Sequence, residues 1–408
     1  MYPSLCAKCK GARRLCGRPR CPILERIEAH LGLVERKRLD RVMFGSSPPS
    51  TLVGEKGYPL VFVGPNIPPA LGDRAVIYES PRSWWGKLSL EELIRLRSSL
   101  IFSRFRVDVR RAYTSDKLLE ATREIALSIK PVDTEVHFEK PPRPRIEFDG
   151  VIEPIGPAAK PRRLLVASSP VVPRKVDQLV YDEDVKVREA LAELYVHGVS
   201  IYHMMRLLSL GMLGRRIDRR LVPTRWAITA VDSTIGDILL TKVRGFNELN
   251  EYRLYNSEYL GNRYVIIMAP GPWTFEMIEI WLPRSVWVKA EKPYIAVNYE
   301  LHDGKPRVDE VDGGYYAMRS PVLEYLYRLK RQATVIAIRE VTPNYYAPVG
   351  VWQVRESVRA ALEKGYEKVE GLEQALIRVS KLIETPIEVI VKKSRILRRL
   401  MYQTKLRL

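Results

Sequence analysis

The chain has 408 residues, 46% of them hydrophobic and 28% charged, enough for two domains with their own cores and no need of covalent staples. Its formal charge is +19 and its isoelectric point about 9.7, a field that favours polyanions: nucleic acid first, acidic proteins or anionic lipid second. No apolar run reaches the roughly 18 residues of a membrane span and no secretory leader is legible, so the expected place is the cytoplasm, away from membranes.

All four cysteines, Cys6, Cys9, Cys16 and Cys21, fall near the N-terminus in the spacing C-x2-C-x6-C-x4-C. Four thiolates this close can close a tetrahedral shell, and the first histidine, His30, lies beyond them. The reading is a structural zinc knuckle over 1–22 with no open ligand position for catalysis. Two disulfides, an iron–sulfur cluster or unliganded thiols are the other uses of four cysteines, and disulfides belong to small secreted domains. Lys8, Lys10, Arg13, Arg14, Arg18 and Arg20 accompany the knuckle with no acid among them. Arg13, Arg14, Arg18 and Arg20 would form a fixed cationic face suited to phosphates rather than bases; a solvated knuckle that only pins the N-terminus is the bland alternative.

A helix is expected from Pro22 to Leu33, with Ile23, Ile27 and Leu31 on one face. A turn-rich stretch then feeds a strand at Leu60–Val63, closed by Gly64-Pro65. Ser89 with Glu92 three residues on predicts a capped helix over 89–101, and a second helix follows at Ser115–Ile129. Residues 140–160, rich in proline and basic side chains, read as an extended connection. Strands are predicted at Arg163–Ala167, Trp226–Val231, Tyr264–Met268, Val286–Lys289, Tyr294–Tyr299, Thr334–Ile338 and Ile387–Val391. Helices are predicted at Asp182–Leu210, Tyr315–Lys330, Val351–Lys364, Leu372–Ile383 and Ser394–Tyr402. Strands and helices do not alternate, so the fold class is α+β: a mixed body of irregular element order with a knuckle in front and a flexible tail behind. Gly-rich phosphate loops and HExxH are absent.

The knuckle, FGSSPPS (44–50), VPTRWAITAVDSTIGD (222–237), APGPWTFEMIEIWLP (269–283) and PVGVWQVRE (348–356) together resemble the archaeal Nre family of DNA repair proteins, of the NreA type, over essentially the whole chain. The resemblance implies an N-terminal region over 23–288, a C-terminal region over 289–393 and a basic helix with tail over 394–408. It implies a role in repair of DNA damage, with DNA, the sliding clamp PCNA and other excision-repair proteins as partners. It implies no particular reaction. A clamp-binding peptide is Q-x-x-h-x-x-a-a. Here Gln403 and Leu406 match it and Leu408 offers a terminal anchor, while the aromatic pair is missing; the alternative is a basic tail that meets nucleic acid alone.

For catalysis the candidates are Asp232 and Asp237, read at a strand end, and Glu276 and Glu279, which would share a face if their segment were helical. Together they would hold Mg or Mn as nuclease ligands; a turn and a solvated helix edge are the plain alternatives. The histidines (His30, His137, His197, His203, His302) read as structural. Among aromatic–basic pairs, Trp84-Trp85 between Arg82 and Lys87 is the expected surface platform, with Trp226 beside Arg225, Trp273, and Trp352 near Arg355 assigned to the core. The leading expectation is thus a DNA-binding repair factor recruited by the clamp. Its rivals are a metal-dependent nuclease or nucleotide-processing enzyme, and an RNA- or ribosome-associated zinc protein.

Overall fold

A computed structural model describes residues 9, 13, 15, 17, 21–35, 39–68, 70–112, 116–143, 156–285, 291–308 and 312–402. The expected strand at 286–289 and the tail Gln403–Leu408 lie outside the described residues, as do Cys6, Cys16, Arg14, Arg18 and Arg20. Contacts divide the chain into two units. One comprises Pro22–Phe148 with Ile152–Ile235, and the other is built chiefly from Gly236–Leu408.

The first unit opens with the helix Pro22–Glu35, where Ile23 is buried, Ile27 half-buried and Leu31 51% exposed, so the predicted stripe is buried only at its start. Strands β1 (Val42–Ser47), β2 (Thr51–Val53) and β3 (Leu60–Ile67) follow. They are joined by β4 (Ile101–Ser103), β5 (Phe105–Asp108), β6 (Val132–Phe138), β7 (Ala158–Ala159) and β8 (Pro161–Val166). One antiparallel sheet has the order β1-β6-β8; the other runs β2-β3-β4-β7, with β5 also paired to β3. β3 does not stop at Gly64-Pro65 as expected, because the glycine lets a second backbone come close. A Cβ on Gly64 would sit 1.8 Å from the Ser103 carbonyl oxygen. The capping box is formed: the Ser89 hydroxyl accepts from the Glu92 N–H, and the Glu92 carboxylate accepts from the Ser89 N–H, at the head of the helix Leu90–Ser98. Asp116 caps the helix Lys117–Leu127 with its side chain alone, accepting from the Leu118 and Leu119 N–H groups.

Two corrections concern this unit. The single helix expected over 182–210 is two, Val187–Val196 and Ile201–Ser209, and a further helix, Arg174–Tyr181, ends just before them. Gly198, at φ +73°, ends Val187–Val196 with a left-handed residue, which glycine adopts without steric cost. The strand expected over 226–231 is instead part of the helix Thr224–Val243. Its β-branched and apolar residues recur at helical spacing, with Ala227, Val231 and Ile235 fully buried at i, i+4 and i+8.

The second unit is a six-stranded sheet of order β12-β11-β13-β10-β9-β14. Its strands are β9 (Tyr252–Tyr259), β10 (Asn262–Ala269), β11 (Thr274–Trp281), β12 (Tyr294–Glu300), β13 (Thr334–Val341) and β14 (Glu367–Val369). All neighbours are antiparallel except β11 and β13. Helices Asp312–Leu329 and Trp352–Glu363 cover one face, the latter donating and accepting through Gln353 with Tyr264 and Tyr259. On the other face Val265, Ile267, Ile278, Ile280, Ile336 and Ile338 form a core with the helices Leu372–Val379, Ile387–Lys393 and Ile396–Tyr402. The segment 387–391, expected as a strand, is helical because Ile387, Ile390 and Val391 meet that core at i, i+3 and i+4, with Pro386 as the N-cap. The regional boundary expected at 288/289 passes through this sheet, leaving β9–β11 on one side and β12–β14 on the other.

Candidate nucleic-acid interface

The acidic residues of β11 settle the first question about chemistry. Glu276 and Glu279 are three apart in a strand, not a helix, so they point to opposite faces of the sheet. Glu276 accepts from the Ser394 hydroxyl and from the Arg395 N–H at 2.6 Å, capping the helix Ile396–Tyr402 from within the core. Burial raises its carboxyl above the ordinary glutamate range, against the pull of those donors. On the opposite face Glu279 takes a 2.5 Å bond from Arg339, whose guanidinium also donates to Asn262 at 2.7 Å.

Asp237 lies 3.1 Å from Arg319 as an ion pair, off the line of an N–H bond. Arg319 in turn donates to the buried Glu300, which also accepts from the Trp273 indole at 2.6 Å. A Cβ at Gly236 would meet the Arg319 guanidinium at 2.6 Å, so any larger residue there would displace it. Asp232 is buried in mid-helix. The expected four-carboxylate metal centre is therefore not assembled: two of its members are separated by the sheet, and each described glutamate of the group is bonded within the core. Among the described residues no three Asp, Glu, His or Cys side chains are placed to hold a metal ion.

The tryptophans also change places. Of the expected platform Trp84-Trp85, Trp84 is buried, its indole N–H donating to the Ile77 carbonyl at 2.5 Å, and Trp85 is half-buried. Trp273 and Trp352 are buried as well. Trp226, assigned to the core by sequence, is 47% exposed in the first turn of the helix Thr224–Val243. It lies 5.3 Å, centroid to centroid, from Tyr58, itself 53% exposed at the tip of the β2–β3 connection. The tip is tied to the helix start: the Thr224 hydroxyl accepts from the Val53 N–H at 2.9 Å, and Arg225 pairs with Glu55 at 3.6 Å.

From that tip, β3 carries the surface onward. Its early burial alternates, Leu60 and Phe62 outward and Val61 and Val63 inward. β5 lies antiparallel beside it, with Leu60 opposite Asp108 and Phe62 opposite Arg106. Hence Phe62, Arg104 and Arg106 share one face, and both guanidiniums stand by the Phe62 ring, at 4.5 Å and 4.8 Å from its centroid. Arg110, in electrostatic reach of Tyr58, forks onto Asp108 and holds that carboxyl well below its ordinary range. A cleft of about 660 Å³ continues the face; Lys160, Asp116 and Leu118 line it together with Phe62, Arg104 and Arg106. Lys160 pairs with Glu139 at 2.6 Å. The exposed ion pairs here are weak enough to be exchanged for phosphates.

The result is a face on the first unit that combines aromatic rings with cations, Trp226, Tyr58, Arg110, Arg106, Phe62, Arg104 and Lys160, with Asp108 and Asp116 among them. Cations that track a backbone and rings that present π-faces are the two components of sequence-tolerant nucleic-acid binding. Sequence reading missed Tyr58, Phe62, Arg104, Arg106 and Lys160. The signal was present in FRVD (105–108), whose period-2 alternation puts Arg106 outward, whereas LVFV (60–63) is apolar throughout and hides the outward Phe62. Of the residues chosen from sequence, Arg13 is exposed and its N–H bonds to the Cys9 carbonyl at 3.3 Å; Cys9 is buried and Cys21 half-buried.

Comparison with known proteins fixes the family. The model described as archaeal Nre, N-terminal, matches residues 15–288, and that described as archaeal Nre, C-terminal, matches 300–408. The chain belongs to the archaeal Nre family. It is 41% identical to a protein named DNA repair protein NreA from Archaeoglobus fulgidus, over 93% of this chain and 94% of that one. It is 37% identical to DNA repair protein NreB of the same organism, over 97% of each, and 34% identical to DNA repair protein NreA of Haloferax volcanii, over 94% of this chain and 93% of that one. No solved structure matches the chain. No described helix is long and apolar enough to cross a membrane.

Proposed function

We propose that this protein is a DNA repair factor that binds DNA through the face running from Trp226 and Tyr58 to Lys160. The observation that carries the reading is the β3–β5 pairing, which sets Arg104 and Arg106 around Phe62 beside a cleft ending at Lys160. Relatives named as DNA repair proteins supply the biological context. In this reading Cys6, Cys9, Cys16 and Cys21 hold one structural zinc, whose soft four-thiolate donor set stabilises the basic N-terminal segment. Metal content of the purified chain, lost on Cys→Ser change, checks it. Gln403, Leu406 and Leu408 recruit the protein to the sliding clamp PCNA, with affinity lowered by the missing aromatics; truncation after Tyr402 should abolish that contact and spare DNA binding.

The interface is tested by measuring DNA affinity against salt for the full chain and for Arg104→Ala/Arg106→Ala. The expected loss is similar on unrelated sequences, and the slope of log affinity on log salt becomes less steep by about one for each phosphate contact removed. Unchanged affinity and slope would refute the assignment.

A further inference from the structure

The geometry points to unpaired DNA as the ligand of this face, with Tyr58 and Trp226 as the platform on which an extrahelical or single-stranded base stacks. The inference rests on the DNA-binding reading above and adds what the face distinguishes. Single exposed aromatic side chains are ordinary on a protein surface, but here two of them are held together. Tyr58 and Trp226 stand 5.3 Å apart with a 40° angle between their planes, each about half exposed. Their backbones are fixed, since Thr224 clamps Val53 and Arg225 reaches Glu55, so the rings are presented rather than loosely displayed.

Position in the face supplies the second argument. The cations do not surround the rings evenly. Arg110 is within electrostatic reach of Tyr58, and Arg106, Arg104 and Lys160 follow along β3, β5 and the cleft. A phosphate backbone following the cations arrives at the aromatic pair at one end. In a duplex the bases are stacked on one another and their faces are unavailable to a protein ring, so such a pair earns affinity only from a strand whose base is out of the helix. Arginines beside Phe62 serve either form of DNA, because every strand carries phosphates.

Two variants separate these roles. Tyr58→Ala and Trp226→Ala should each weaken binding of a single-stranded oligonucleotide by roughly 5- to 100-fold and leave affinity for a blunt duplex of the same length within about twofold. Trp226→Phe, which retains a ring, should recover most of the single-strand affinity, and thermal melting of each variant verifies the fold. Equal losses on both forms, or no loss on either, would overturn the platform. If Arg104→Ala/Arg106→Ala still weakens both forms while Trp226→Ala weakens neither, only the preference for unpaired DNA fails. If the arginine variant also binds like the parent, the interface itself fails.

Discussion

His203 shows how burial, rather than a ligand, explains a histidine in this chain. It sits in the helix Ile201–Ser209 at 1% exposure, three residues before the half-buried Arg206. Burial first and the Arg206 charge second lower its pKa to about 3, so the folded protein keeps the ring neutral. The unfolded chain takes up that proton near pH 6.5. With the folded value depressed, the stabilisation is complete above the unfolded value and is lost as pH falls from about 6.5 toward 3. The slope from this one site is about 1.4 kcal/mol per pH unit. Denaturant titrations between pH 7 and 4 should show that slope, and His203→Gln should flatten it. Equal slopes for parent and variant would mean that another group sets the acid limit. A structural use likewise accounts for Glu276 and Glu279, whose acidic character in the sequence suggested chemistry and whose bonds lie within the core.

The strand β11 and the helix that it caps illustrate what local sequence can and cannot tell. The side chains of 275–281 are all buried, so neither period 2 nor period 3.6 marks the segment, and two glutamates three apart imitate a helix face. Only the opposite sheet faces, set by tertiary packing, reveal their separate uses. By contrast the capping box at Ser89 and the helices at 312–329 and 352–363 were legible, since caps and amphipathic spacing are local. β6 was legible too and went unread: VDTEVHF alternates buried and half-buried at every position. Glu276→Ala removes the acceptor for Ser394, Arg395 and Ile396 and leaves buried donors unpaired. The expected cost is about 2–4 kcal/mol, with faster hydrogen exchange in Ile396–Tyr402, and Glu276→Gln should cost less because it retains an acceptor. A Glu276→Ala protein as stable as the parent would show that the cap contributes nothing.

The two units carry different burdens. The sheet of the second unit spends its charges internally, on Arg339–Glu279, Arg319–Glu300 and the Glu340 carboxylate that accepts from Thr385 and Arg263. The first unit keeps Arg104, Arg106 and Lys160 along an outward face with Phe62, Tyr58 and Trp226. Net charge foretold a polyanion partner, but its location was hidden, because the face is assembled from the β2–β3 tip, two paired strands and the start of a helix far apart in sequence. The most direct measurement is hydrogen–deuterium exchange of the full chain with and without saturating DNA. Protection concentrated in 55–62, 104–110, 158–160 and the first turn of 224–243 is the predicted result. Protection confined to Gly236–Leu408, with those segments unchanged, would contradict the account.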